Sequence, residues 1–233
     1  MKESLEILVK SNPWRQVEVT KRGTYLRDDL PALLRFNDHV GKTSPYFLHL
    51  KVHPEPFVGS PKAPVWLLNL NPGFVKKDLD HSTAIRSAQL QNLKLELEGF
   101  WFLNPKYSDA PGSKWWANRL KALCDDCGVE AVSKGVFCVE YFPYHSKKFR
   151  KIPDRLGGVL ESQRYAARLV RAGIDAGKRI IRLRGKQHWK QLVEEMDEAK
   201  CEATQNPRCA YLSPNNFKKY SELCNLIRKN TSY

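Results

Sequence analysis

The sequence predicts an α/β protein, a three-layer α/β/α sandwich around a central, four-stranded, mostly parallel sheet. Three observations lead there. Four short apolar runs, at 65–70 (VWLLNL), 135–142 (GVFCVEYF), 178–183 (KRIIRL) and 209–212 (CAYL), have the length and side chains of strands. After each comes a polar loop and then a stretch of helical rhythm, the alternation that builds a sheet covered by helices on both faces. Finally, 233 residues with 42% hydrophobic side chains and six tryptophans can bury a full core.

The elements follow in order. Residues 3–10 read as a short amphipathic helix ended by Asn12-Pro13, and 26–39 as a second one, entered through Asp28 and Asp29 with Pro31 in its first turn. Tyr46–Val52 (YFLHLKV) has the pattern of an edge strand, and 53–64 (HPEPFVGSPKAP) that of a proline-rich connector. Residues 1–60 are therefore expected as a helical extension packed on the core, and 61–233 as the α/β domain. The run Val65–Leu70 is stopped by Asn71-Pro72-Gly73, three residues that strands avoid. Residues 78–97 carry a helical rhythm, and 99–116 form an aromatic-rich loop in which Trp115-Trp116 opens a helix. Glu140 interrupts the second apolar run, where a carboxylate is costly unless it is paired or used chemically. A basic helix at 159–176 follows, with Arg164, Arg168 and Arg171 on one face, then a helix at 186–196. Ser213 reads as an N-cap and Pro214 as the first residue of the last helix.

Charge narrows the function. Lys plus Arg number 39 against 25 acids, a net +14, and the stretch 146–190 alone holds 14 Lys and Arg against three acids. Such a concentration favours a polyanionic partner, because basic side chains that neutralise phosphates release condensed counterions. The N-terminus mixes charges into its only apolar stretch and no apolar run approaches the length of a membrane span, so the expectation is a cytoplasmic protein, or one in the nucleoid or nucleus with DNA. Cys124 and Cys127 have CxxC spacing without a second pair, and His39, His49 and His53 lack ligand spacing, so no metal and no other cofactor is expected.

In an open α/β sheet ligands sit outside the carboxyl ends of the strands, which makes the polar loops at 71–74, 143–146 and 213–217 the candidate site. At these residues the chain resembles the uracil-DNA glycosylase superfamily, in particular its mismatch-specific branch. The first motif of that branch, at the end of the first core strand, contains Asn-Pro-Gly, matched by Asn71, Pro72 and Gly73; its last motif ends the fourth strand with a His-Pro-Ser or Asn-Pro-Ser loop, where this chain reads Ser213-Pro214-Asn215. The resemblance covers roughly residues 60 to 230. It implies that Asn71 holds the attacking water, that Pro72, Gly73 and Phe74 line a base pocket, and that Ser213, Pro214, Asn215, Asn216 and Phe217 wedge into DNA. Gly73 stands where strict uracil enzymes carry a bulky residue, which implies room for larger bases. The chain departs from the superfamily in having no histidine in the last motif, a place His145 would have to fill, and in carrying Glu140 where a base-reading asparagine often stands. The expected activity is metal-independent hydrolysis of the N-glycosidic bond of a damaged or mismatched base in DNA repair. The expected partner is single-stranded or mismatched duplex DNA, bound by a monomer with the help of Arg164, Arg168 and Arg171. A non-catalytic nucleic-acid-binding member of the same fold and a small-substrate nucleoside or nucleotide hydrolase are the alternatives.

Overall fold

The computed structural model describes residues 3–194, 196, 200–206 and 208–230. In chain order it contains α1 (Leu5–Lys10), the hairpin β1 (Glu18–Thr20) and β2 (Gly23–Tyr25), α2 (Leu30–Val40), β3 (Phe57–Gly59), β4 (Val65–Asn69), α3 (Thr83–Leu93), α4 (Pro111–Cys127) and α5 (Val129–Gly135). Then come β5 (Val136–Glu140), α6 (Glu161–Asp175), β6 (Arg179–Arg182), α7 (Lys186–Leu192), β7 (Cys201–Ala203) and α8 (Tyr220–Lys229). The main sheet has five strands in the order β3-β5-β4-β6-β7, with β3 antiparallel and the other four parallel.

Alternation along the strands sends successive residues to opposite faces. Trp66, Leu68, Phe137, Val139 and Ile180 pack under α1, α2 and α6, whereas Val65, Leu67, Val136, Cys138 and Ile181 pack under α4, α5 and α8. Each helix-covered face has its own apolar cluster, and the N-terminal residues Leu8, Trp14, Leu33 and Phe36 belong to the first of them. Gly173 lets α6 approach closely, since a β-carbon there would lie 2.8 Å from the ring of Trp66.

Three differences from the expected elements have physical reasons. The sheet has a fifth strand, β3, hidden in the proline-rich connector: three residues between prolines are too short to show alternation, but all three are buried against β5. Tyr46–Val52 is not a strand; Asn37 takes the place of a strand partner, its Nδ2 donating to Leu48 O (2.9 Å) while its Oδ1 accepts from Leu48 N (2.8 Å). The fourth parallel strand is Cys201–Ala203 rather than 209–212. Its Glu202 is an unusual strand residue, yet accepts two hydrogen bonds from the Arg179 guanidinium (2.9 and 3.1 Å). In 209–212 the buried Ala210 and Leu212 anchor to α4, with Leu212 N donating to Arg119 O (3.1 Å). Helix ends differ as well: α4 begins at Pro111, one turn before Trp115, and α8 begins at Tyr220, well after Ser213. In the region expected as helix 186–196, α7 ends at Leu192, and position 195 lies outside the described residues.

Candidate active site

β4 is the switch point of the sheet, because the chain proceeds from it to β5 on one side and lies beside β6 on the other. Loops leaving such neighbours diverge and open a crevice at the carboxyl ends. A cavity of about 470 Å³ occupies that position, with Asn69, Asn71, Glu140, Glu55 and Asp78 among its polar lining residues.

The floor follows from strand register. β4 and β5 are parallel and pair Asn69 with Glu140, so the last residue of each strand faces the same side. Asn69 Nδ2 donates to Glu140 Oε1 at 2.8 Å. The two outer atoms of this pair, Asn69 Oδ1 and Glu140 Oε2, are buried without any hydrogen-bond partner. Unpartnered polar atoms at the base of a cavity are a costly arrangement that a ligand can relieve. No ion pair involves Glu140 among the described residues, and burial pushes its carboxyl up to about 8, opposed by the Asn69 hydrogen bond and by Arg184. At neutral pH it is mainly a neutral acid. Glu140 thus lines the crevice with an amide, and no basic side chain, as its hydrogen-bond partner among the described residues.

The loop after β4 supplies the side wall. Asn71 Nδ2 donates to Pro72 O (2.8 Å) and to Ser146 Oγ (3.3 Å), which fixes the carboxamide and leaves Oδ1 without a protein donor among the described residues. A β-carbon on Gly73 would meet nothing within 4 Å, so this position opens space beside the cavity. Phe74 also lines the cavity and stacks on His49, with ring centroids 3.3 Å apart.

His145 is also among the residues that line the cavity. Its Nδ1 faces Gly73 O at 2.7 Å and its Nε2 faces His53 O at 3.0 Å. Burial lowers its pKa against the pull of Asp78 and these two carbonyls, and the single N–H of the neutral imidazole can donate to only one of the carbonyls at a time. The ring therefore sits between the Asn-Pro-Gly loop and the proline-rich connector.

Two acids of the site escape sequence reading. Glu55 lies 3.8 Å from His145 Nε2, and burial with the nearby charges of Asp78 and Glu140 pushes its carboxyl up to about 8. Flanking prolines disguise it as connector, although a glutamate in HPEPF with apolar residues beyond is the available signal. Asp78 accepts from Val75 N (2.7 Å) and lies 3.5 Å from His81 Nε2. Lys147, Lys148 and Arg184 line the same cavity, so part of the basic stretch does border it.

Other expected residues lie elsewhere. Asn216 and Phe217 are buried and do not form a wedge: Phe217 belongs to the core, and Asn216 Nδ2 donates to Cys209 O (2.6 Å) and Tyr211 O (2.8 Å) while its Oδ1 accepts from Asn206 N (2.8 Å). Pro214 and Asn215 are exposed and Ser213 is half-buried, yet none of 213–217 lines the cavity. We expect Asn216→Ala to cost about 2 kcal/mol or more, because three main-chain groups lose their partner; a thermal melt unchanged from the parent would contradict this tie. On α6, Arg164 pairs with Glu161 (2.9 Å), Arg168 lies 3.7 Å from Glu3, and Arg171 donates to Leu192 O (3.0 Å). None of these arginines borders the cavity. Burial holds the thiols of Cys124 and Cys127 up at about 11 and about 12, and Cys201 is buried in β7 while Cys209 is exposed.

No protein-family model, curated protein or solved structure matches the chain. Among the described residues, no helix is long and apolar enough to cross a membrane.

Proposed function

We propose that the cavity at the ends of β4 and β5 hydrolyses the N-glycosidic bond of a base turned out of DNA. The observation that carries this reading is the lining of one cavity by the buried carboxyls of Glu55 and Glu140, both pushed up to about 8, the amides of Asn69 and Asn71, and the basic side chains Lys147, Lys148 and Arg184. The volume of about 470 Å³ falls in the ordinary range of small-ligand pockets. In the bound state Asn69 Oδ1 accepts from the base and protonated Glu140 Oε2 donates to it. The bond from C1′ to nitrogen breaks with its electron pair leaving on the base, and the Glu140 proton neutralises that charge. A water held by Asn71 Oδ1 adds to C1′, and the proton it releases restores the acid. The Asn-Pro-Gly resemblance at 71–73 points to the same reaction, and no step needs a metal.

The test is a panel of single-stranded and duplex oligonucleotides carrying uracil, mismatched thymine, hypoxanthine, xanthine or etheno bases, followed by alkaline cleavage of abasic sites in the presence of a chelator. Release of at least one base is the expected result. Binding without release from any member would favour the non-catalytic reading, and release only from free nucleosides or nucleotides would favour the small-substrate hydrolase.

A further inference from the structure

Beside the cavity, four side chains from three separate segments form one stack. Trp115 and Arg119 lie one turn apart on α4, Arg184 follows β6, and Tyr211 lies in the loop before α8. The Arg119 guanidinium carbon is 4.7 Å from the Trp115 ring centroid and 4.3 Å from that of Tyr211, and the Arg184 guanidinium carbon is 5.5 Å from Trp115. The order is Arg184, Trp115, Arg119, Tyr211.

The two guanidiniums are short of anions. Among the described residues neither has a carboxylate within 4.0 Å or a side-chain hydrogen bond to any acceptor, and Arg119 Nε is sealed from solvent without a partner. The absence of such partners contrasts with α6, where Arg164 pairs with Glu161. Burial and the charge of Arg119 lower the pKa of Arg184 against the pull of Glu140 and Cys209, in keeping with two cations held near each other. Aromatic faces orient guanidiniums and leave their N–H edges free, but they do not neutralise them. An arrangement of two oriented, unneutralised guanidiniums suits a phosphoryl group, which offers several acceptor oxygens and the missing charge. Arg184 and Trp115 also line the cavity, so the stack continues outward from the place of the base, and Tyr211 is 39% exposed.

We infer that the Arg184–Trp115–Arg119–Tyr211 stack is a phosphate-binding subsite, which holds the phosphodiester of a nucleic-acid strand as it leaves the cavity. The inference rests on the proposed function only in taking the cavity as the place of a nucleobase. A terminal phosphomonoester of a mononucleotide shares the same chemistry.

The experiment measures binding rather than turnover. A fluorescent, undamaged, single-stranded twelve-nucleotide DNA is titrated at several salt concentrations with the parent chain, Arg119→Gln, Arg184→Gln, the double variant, and a Lys121→Gln/Lys134→Gln variant that removes the same charge from exposed helix positions. The double variant should bind about tenfold or more weakly at low salt, and the slope of log K against log salt should flatten by about 0.7 for each phosphate that is no longer neutralised. The lysine variant should stay within about twofold. Calorimetric titrations with inorganic phosphate and a 5′-mononucleotide separate the two sources: arginine-dependent binding of these, with oligonucleotide binding unchanged, assigns the subsite to a terminal phosphate. If the double variant melts early, Arg184→Gln with Arg184→Lys as its charge-retaining partner decides, since only the former should flatten the slope. Parental affinity and slope for the oligonucleotide, with phosphate and mononucleotide also unaffected, overturns the inference. Arginine-dependent binding by a chain that releases no base from the damaged oligonucleotides would leave the subsite standing and remove the glycosylase reading.

Discussion

Replacing Asn71 by alanine should lower base excision by about 10²-fold or more while DNA affinity stays within a few fold. The carboxamide is held by Pro72 O and Ser146 Oγ, so its remaining atom, Oδ1, has a fixed direction at the edge of the cavity. Catalysis by a positioned water depends on such fixing, since a misplacement of about 1 Å can cost 10²-fold. The substitution removes no charge and leaves the basic residues at 147, 148 and 184 in place, which is why binding should survive. Single-turnover excision and equilibrium binding on the same oligonucleotide separate the two quantities. Equal loss of folding, binding and excision would instead make Asn71 a turn residue, because its side chain also braces the loop.

Glu140→Gln should lower excision by about 10²-fold yet raise stability at alkaline pH. Glutamine keeps the shape and can still accept from Asn69, but it has no proton to give to the departing base. The parent's rate should fall as pH rises through about 8, where burial has moved the Glu140 carboxyl, and the variant's residual rate should lack that limb. Stability runs the same way with pH in the parent. A carboxyl whose value is raised from 4.5 to about 8 on folding favours the fold fully below about 4.5, and this contribution is lost as pH rises through about 8. The variant escapes that loss, so its melting temperature should exceed the parent's at pH 8–9 by more than at pH 5. Melting curves at the two pH values check this, and equal shifts at both would show that Glu140 is not held neutral by burial. Glu55, also pushed up to about 8, adds its own loss over the same window in both proteins.

The part of the candidate site formed by Asn71 and Glu140 is more legible in the sequence than its surroundings. Asn71 and Glu140 announce themselves as polar residues at the end of, or inside, apolar runs, where physics tolerates them only with a reason. Asn69 is hidden within such a run, and only the parallel register that sets it beside Glu140 gives it meaning. Glu55 and Asp78 reach the cavity from a proline-rich connector and from a 3₁₀ turn at Lys76–Asp80, neither of which has a period that says where a side chain faces. The sheet shows the same limit. β4, β5 and β6 are central, apolar and readable, while the edge strands β3 and β7 are three residues long and depend on their neighbours, β7 through the Arg179 and Glu202 pair. The charge of the 146–190 stretch is visible as a total, but which cations are already paired, as on α6, and which lack an anion, as at Arg184, is decided by tertiary structure.

The mass of a DNA strand before and after incubation tests the central claim most directly. A strand carrying a substrate base, incubated with the protein and a chelator and left without alkali, should lose the mass of that base and gain that of one water, with the backbone unbroken and the free base recovered in equal amount. The same strand incubated with the Asn71→Ala variant should be unchanged over that time. A strand of unaltered mass for every base tried, or a cut backbone with the base still attached to its sugar, would contradict the assignment of this cavity to N-glycosidic hydrolysis.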